Sequence, residues 1–302
     1  MDEKARKAAS VRDRLKKRAM ESGRPYMELQ QYYAMEKFLL RLSKSKHADA
    51  YALKGALLLR SFGVHNSRFT RDIDLATYRT ISLAEAENFV RTCLMETEVE
   101  EDGLNFYSDS IRAEEIRELQ SYTGIRVSFL VSLGTARINM QIDIGFGDVI
   151  TPDPVLIELP QVLDESIIRI NGYTLETAIA EKFEAMISLD MANSRMKDFY
   201  DIWYLSSAFS FEMPSLARAI QATFNRRQTI LPEENPTAFS KEFADIKQMQ
   251  WQAFFKKNGL TEPPTHFDDL VNHIKAFIMP VLQEIRKQEI RISDWSPGSG
   301  WQ

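Results

Sequence analysis

Lys54-Gly55-Ala56-Leu57, followed closely by Arg68-Phe69-Thr70-Arg71-Asp72-Ile73-Asp74-Leu75, is the stretch that decides the fold of this chain. A glycine at a chain reversal precedes two carboxylates separated by one apolar residue. On an extended strand, positions i and i+2 share a face. Asp72 and Asp74 therefore project together while Ile73 turns into a core. Like charges held side by side repel and resist joint ionisation unless positive charge lies between them. A hard divalent cation with oxygen ligands, Mg2+ bound together with substrate phosphates, is the usual answer. An isolated Asp-x-Asp also occurs on many solvent-facing strand edges, so the pair needs company before it means chemistry.

Three further groups supply that company. Asp143 falls in a second predicted strand, with Gln141 on its face and Ile142 and Ile144 on the other. Three acids on neighbouring strands would make a two-metal site for in-line displacement at phosphorus. Gly55 opens a predicted helix whose free backbone N–H groups can cradle a phosphate, with Lys54 beside it; the plainer reading is a helix start without a ligand. In a later helical region, Lys182 could bind a triphosphate and Asp198 hold it by an ion pair, if their two helices pack together. A purely structural salt bridge is the alternative. Asp198 and Asp201, three apart, share a helical face and call for a cation, for which Arg195 and Lys197 are the neighbours in sequence.

Working outward, residues 4–46 read as two helices broken at Gly23-Arg24-Pro25. A helix is expected over 82–95, with Ser82 as N-cap and Glu85 completing a capping box. Leu104–Tyr107, Ile125–Leu130 and Arg137–Ile144 read as an antiparallel meander. Gly145, Gly147 and Thr151-Pro152-Asp153-Pro154 then end the sheet, and from about 171 the chain reads as helical. The expected divisions are N-terminal helices over 1–48, a sheet-containing core over 49–170 and a mainly helical domain over 171–302. The tail Ser296-Pro297-Gly298-Ser299-Gly300 reads as flexible.

The bulk properties narrow the class. A net charge of −5 over 302 residues sets aside a globally basic nucleic-acid binder and leaves room for a local basic face. The single cysteine, Cys93, precludes an internal disulfide and fits a reducing cytoplasm; it reads as a small buried side chain. No apolar run is long enough to span a bilayer, and no signal peptide is apparent at the N-terminus. His65 and Asp148 flank the acidic strands without forming a pattern. His47, His266 and His273 suggest no metal cluster.

The order of these motifs resembles that of the AbiEii/AbiGii toxin family of nucleotidyltransferases. The resemblance runs through the opening stretch, Ile142-Asp143-Ile144-Gly145-Phe146-Gly147-Asp148, Leu159-Pro160 with Leu163, Glu176-Thr177-Ala178-Ile179-Ala180-Glu181-Lys182 and Asn193–Asp201. It covers about 9 to 205. It implies an α+β fold: a polymerase-β-like nucleotidyltransferase core, with a small mixed sheet flanked by helices, followed by a helical domain. It further implies an NTP substrate, Mg2+ (or Mn2+) as cofactor, and the toxin role in a toxin–antitoxin or phage-defence pair, with a cognate antitoxin and tRNA as acceptor. Asp72, Asp74 and Asp143 match the metal-binding carboxylates, and Lys182 and Asp198 the Lys and Asp of the helical part. Thr70 takes a hydroxyl position before the acids. Lys54, Gly55, Ala56, Thr70, Lys182 and Arg195 make up the expected nucleotide-binding set. Ala56 departs from the superfamily's usual Gly-Ser, so it keeps a backbone contact and lacks a hydroxyl.

The expected activity is transfer of an NMP from an NTP to an acceptor hydroxyl, with tRNA or another RNA as acceptor, in a cytoplasmic protein with no membrane partner. A small-molecule acceptor, as in antibiotic-modifying enzymes, and a catalytically silent partner-binding protein are the two alternatives.

Overall fold

The computed structural model describes residues 3–62, 69–96, 98–119, 122–147, 150–163, 166–260 and 262–302. His65, Arg68 and Asp148 lie outside them. The chain forms two compact units, Met1–Asp148 with Val155–Gly172, and Val149–Pro154 with Tyr173–Gln302.

The first unit begins with the two expected helices, α1 (Glu3–Ser22) and α2 (Tyr26–Lys44). The break between them follows from Gly23 at φ +68° and from Pro25, whose fixed φ suits the turn before a helix. Strand β1 (Ala52–Lys54) runs into the short helix α3 (Gly55–Ser61), and β2 (Asp72–Thr77) carries the acidic pair. Helix α4 (Leu83–Leu94) opens with the expected capping box: Ser82 Oγ accepts from the Glu85 N–H while the Glu85 carboxylate accepts from the Ser82 N–H.

The expected meander forms as β3 (Leu104–Leu119), β4 (Tyr122–Leu133) and β5 (Ala136–Phe146). It does not end the sheet. Two further strands, β6 (Val155–Pro160) and β7 (Ile167–Gly172), join the opposite edge, giving the order β3-β4-β5-β2-β1-β7-β6. Glycine and proline after β5 mark a crossing between edges, and the branched residues of Val155–Ile157 and Ile167–Ile170 resume pairing. The sheet is mixed: β2 is parallel to β5 and antiparallel to β1.

One face of the sheet is the core. Ile73, Ile142 and Val127 are cross-strand neighbours and fully buried. On that face Phe38 of α2 meets Phe129 of β4 at 5.9 Å and Phe89 of α4 edge-on at 6.4 Å. Cys93 is buried in α4, and desolvation pushes its thiol up to about 12, as a structural side chain rather than a nucleophile.

The second unit is mainly helical: α5 (Leu175–Leu189), α6 (Met196–Ala208), α7 (Met213–Arg227), α8 (Lys241–Lys257) and α9 (Phe267–Lys287). The tail is not loose, contrary to expectation. Strand β8 (Phe211–Glu212) pairs with β9 (Asp294–Ser296), which pairs with β10 (Gly300–Trp301). Trp301 stacks on Phe277 at 5.8 Å and donates Nε1–H to the Phe277 carbonyl, so aromatic burial orders what the Gly and Pro content leaves open.

Phe38→Ala removes the ring where two helices meet the sheet. It is expected to lower the stability of the first unit by about 3–5 kcal/mol, read as a shift of the chemical-denaturation midpoint.

Candidate active site

The acidic pair sits where the strand pattern puts it. Asp72 and Asp74 alternate with buried Ile73 and Leu75 and are partly exposed. The register then assembles a row across the sheet: Lys54 of β1 opposes Asp74 of β2, Asp74 opposes Asp143 of β5, Asp143 opposes Arg126 of β4, and Arg126 opposes Glu114 of β3. The inner four charges read plus, minus, minus, plus. Directly opposite residues on one face are close neighbours, so each aspartate has a carboxylate on one side and a cation on the other. Asp72 lies in the next row, opposite Gln141.

Asp143 is heavily engaged. Its carboxylate accepts from Arg126 Nε at 2.9 Å and from the terminal nitrogen at 2.8 Å, a bidentate pair. Gln141 Nε2 adds contacts at 3.2 and 3.4 Å. That hydrogen bond to Asp143 is the main reason the Arg126 guanidinium pKa rises above its ordinary value, with the charge of Asp72 contributing. Sequence reading missed Arg126. It occupies the polar position between Ile125 and Val127 in the alternation of β4, a visible signal, but its partner depends on the register.

Gly55 lies against one of the same acids. Its φ of +71° lies in the left-handed region, and a Cβ there would sit 1.9 Å from Asp74 Oδ2. The backbone at the α3 start therefore lies directly against the Asp74 carboxylate, and only glycine permits that approach. Lys54 and Ala56 flank it and are buried. Thr70 is buried too; its hydroxyl lies 3.4 Å from both the N–H and the carbonyl of Asp72, steadying the entry to β2.

In the second unit, α5 and α6 do pack together and bring Lys182 to Asp198. Lys182 Nζ lies 3.4 Å from Asp198 Oδ1 and 2.7 Å from Asp201 Oδ2. Arg195 Nε lies 2.8 Å from Asp198 Oδ2. The side chains of Asp198 and Asp201 are 1% and 0% exposed, so two buried acids are matched by two cations. The cation expected for the Asp198/Asp201 face is thus Arg195 together with Lys182, and Lys197 is exposed. Asn193, fully buried, fixes the turn before α6 by accepting the Arg195 N–H through Oδ1 at 2.8 Å. A second cluster escaped sequence reading: Arg227 of α7 contacts Glu184 at 2.7 Å and Glu181 at 3.5 Å, on either side of Lys182 in α5.

The donor set of the first unit fits a hard divalent cation in part. Asp72 and Asp74 present carboxylate oxygens on one accessible face, the ligand type Mg2+ and Mn2+ take. Asp143 is occupied by Arg126. Among the described residues, no three His, Cys, Asp or Glu side chains already converge as a metal site.

An acid-bearing mixed sheet in one unit and a mainly helical second unit make an α+β protein. The chain belongs to the AbiEii family: the profile described as nucleotidyl transferase AbiEii toxin, type IV toxin–antitoxin system, matches residues 37–273. The match begins later than the motif resemblance and extends well past 205, through α8 and into α9. Two solved Helicobacter pylori structures show a partial likeness to this chain. JHP933 has 13% identity and a TM-score of 0.48, over 87% of this chain and 95% of its own. A candidate nucleotidyltransferase has 13% identity and a TM-score of 0.48, over 88% of this chain and 100% of its own. No curated protein matches. Among the described residues no helix is long and apolar enough to cross a membrane.

Two substitutions probe these arrangements. Gly55→Ala forces a left-handed alanine, costing about 1–2 kcal/mol, and drives its Cβ into Asp74; a lower melting temperature and a displaced Asp74 carboxylate in a crystal structure are expected. Lys182→Met removes the cation shared by two buried acids, leaving Arg195 to Asp198, and should cost about 3–5 kcal/mol. Adding Asp201→Asn should recover part of that loss, measured as a coupling energy from denaturation of the single and double variants.

Proposed function

We propose that the protein transfers an NMP from an NTP to an acceptor hydroxyl, and acts as the toxin of a toxin–antitoxin pair with RNA, tRNA foremost, as acceptor. Family membership supports nucleotidyl transfer. The observation that carries the reading to this chain is the cross-strand row in which Asp74 and Asp143 lie side by side between Lys54 and Arg126.

Asp72 and Asp74 would hold Mg2+ or Mn2+, which when bound offsets phosphate charge at the reacting phosphorus. Asp143 is the third carboxylate of the site, oriented by Arg126 and Gln141. The α3 start at Gly55, with Lys54 and the backbone of Ala56, lies against Asp74 and would offer backbone N–H donors to a phosphate. Thr70 fixes the direction in which Asp72 leaves the loop. In the helical unit, Lys182 and Arg195 supply the positive charge for a triphosphate, and Asp198 sets their positions. The bond formed joins the acceptor oxygen to the α-phosphorus, and the bond broken releases pyrophosphate. A cognate antitoxin is the expected protein partner.

With labelled NTP, Mg2+ and total RNA, the wild-type protein should label RNA. Asp72→Asn/Asp74→Asn should reduce labelling to background and abolish growth inhibition on expression, while keeping the wild-type circular-dichroism spectrum. Undiminished transfer by that variant would remove the proposal, and labelling of a small-molecule pool in place of RNA would change the acceptor.

A further inference from the structure

Helix α1 is attached by a narrow stripe: of its twenty residues, Ala8, Val11 and Leu15 are the buried ones. Those twenty residues hold eight Lys and Arg against three Asp and Glu, a net charge of +5. From Gly23 to the C-terminus the balance is thirty basic against thirty-nine acidic, or −9. Positive charge is concentrated on one helix of an acidic protein, ahead of the segment matched by the family profile.

Packing accounts for only part of this charge. Arg14 donates to the Leu163 carbonyl, and Arg12 lies over Gly134, so both tie α1 to the sheet unit. Arg6 and Lys7 are exposed, and the side chains of Lys16, Lys17 and Arg18 are 55%, 80% and 57% exposed. The acidic neighbours of Lys16, Lys17 and Arg18 offset little: Asp13 lies 3.5 Å from Lys16, while Glu21 is shared between Lys17 at 3.9 Å and Arg18 at 3.8 Å. Ion pairs this exposed contribute little. Lys7 and Arg18 fall on one side at helical spacing and Arg6 and Lys17 on the adjoining side, a strip about 16 Å long.

The composition of the strip selects the partner. A protein interface needs an apolar centre, whereas on α1 the one large exposed apolar side chain is Met20, near its end. A row of cations without an apolar centre suits a polyanion held by charge and counterion release. A dipolar charge distribution also steers such a partner to the helix and away from the acidic remainder. We propose that the exposed side of α1, through Arg6, Lys7, Lys17 and Arg18, docks the phosphate backbone of the RNA acceptor. This rests on the reading of RNA as acceptor above.

The test compares the full-length protein with Arg6→Gln/Lys7→Gln/Lys17→Gln/Arg18→Gln, four surface changes outside the carboxylate and lysine clusters. Fluorescently labelled unfractionated tRNA is titrated at about 50 to 200 mM salt. The variant should bind at least tenfold more weakly at the lowest salt. The slope of log affinity against log salt should fall by about 3, given roughly 0.7–0.9 per phosphate contact. Binding of the Mg–NTP complex and the melting temperature should stay at wild-type values. Equal affinity and slope in the two proteins overturn the proposal, as does a wild-type protein that binds no tRNA. Displacement of tRNA by polyglutamate as effectively as by unlabelled RNA overturns the choice of nucleic acid. A wild-type protein that binds tRNA through α1 yet transfers no NMP to any acceptor leaves this surface standing and removes the proposed activity instead.

Discussion

Asp74 and Asp143 lie opposite each other on adjacent parallel strands, and much of the first unit is arranged around that like-charge pairing. Two unit charges about 5 Å apart repel by on the order of 3 kcal/mol at an effective dielectric of about 20. A sheet that merely needed to fold would place polar, uncharged residues there. Here the row is closed at each end by a cation, Lys54 beyond Asp74 and Arg126 beyond Asp143. The opposite face fixes the register that makes the row. A one-residue slip of β2 against β5 would carry Ile73 and Leu75 out of the core and bury both aspartates. Gly55 belongs to the same constraint, because any side chain there would occupy the space of the Asp74 carboxylate.

The helical unit applies the same balance by other means. Asp198 and Asp201 sit one helical turn apart on α6 and are buried more deeply than the acids of the sheet. Their cations come from two directions: Arg195 from the turn before α6, and Lys182 from α5. Replacing such a cluster with apolar residues is often neutral or stabilising, so stability alone gives little reason for it. Cations held by buried acids are fixed in position before any ligand arrives, the preorganisation that the proposed phosphate contact would draw on. Arg227, gripping Glu184 and Glu181 on either side of Lys182, fixes the α5 turn from which the lysine projects.

The parts legible in the sequence are those governed by local periodicity. The two N-terminal helices, the Ser82 capping box, the meander and the shared face of Asp72 and Asp74 follow from spacing within single elements. The errors share one physical origin, pairing between distant segments. Gly145, Gly147 and the proline-rich run were signals that a strand had ended, and they carried no information that β6 and β7 would return to the far edge beside β1. Ser296–Gly300 has the composition of a loose tail, yet Trp295 and Trp301 bury their rings against Phe277 and order it as a strand pair. Arg126 was visible as a charged residue in a branched run, but its role required knowing that β4 lies beside β5 with residue 126 opposite 143.

Net charge shows the same limit of a summed quantity. At −5 the whole chain looks indifferent to polyanions. The sum hides a helix at +5 and a remainder more acidic than the total suggests. Electrostatic attraction at physiological salt acts over about 8 Å, so a polyanion approaching α1 meets the local strip and not the distant excess of acids. An acidic remainder even sharpens the selection, because it disfavours nonspecific coating of the rest of the surface while leaving one strip attractive. The same argument applies within the site. The inner row of the sheet sums to zero, yet the two acids meet at its centre and the two cations stand at its ends. That separation of charge, rather than its total, is what the proposed metal and phosphate contacts would draw on.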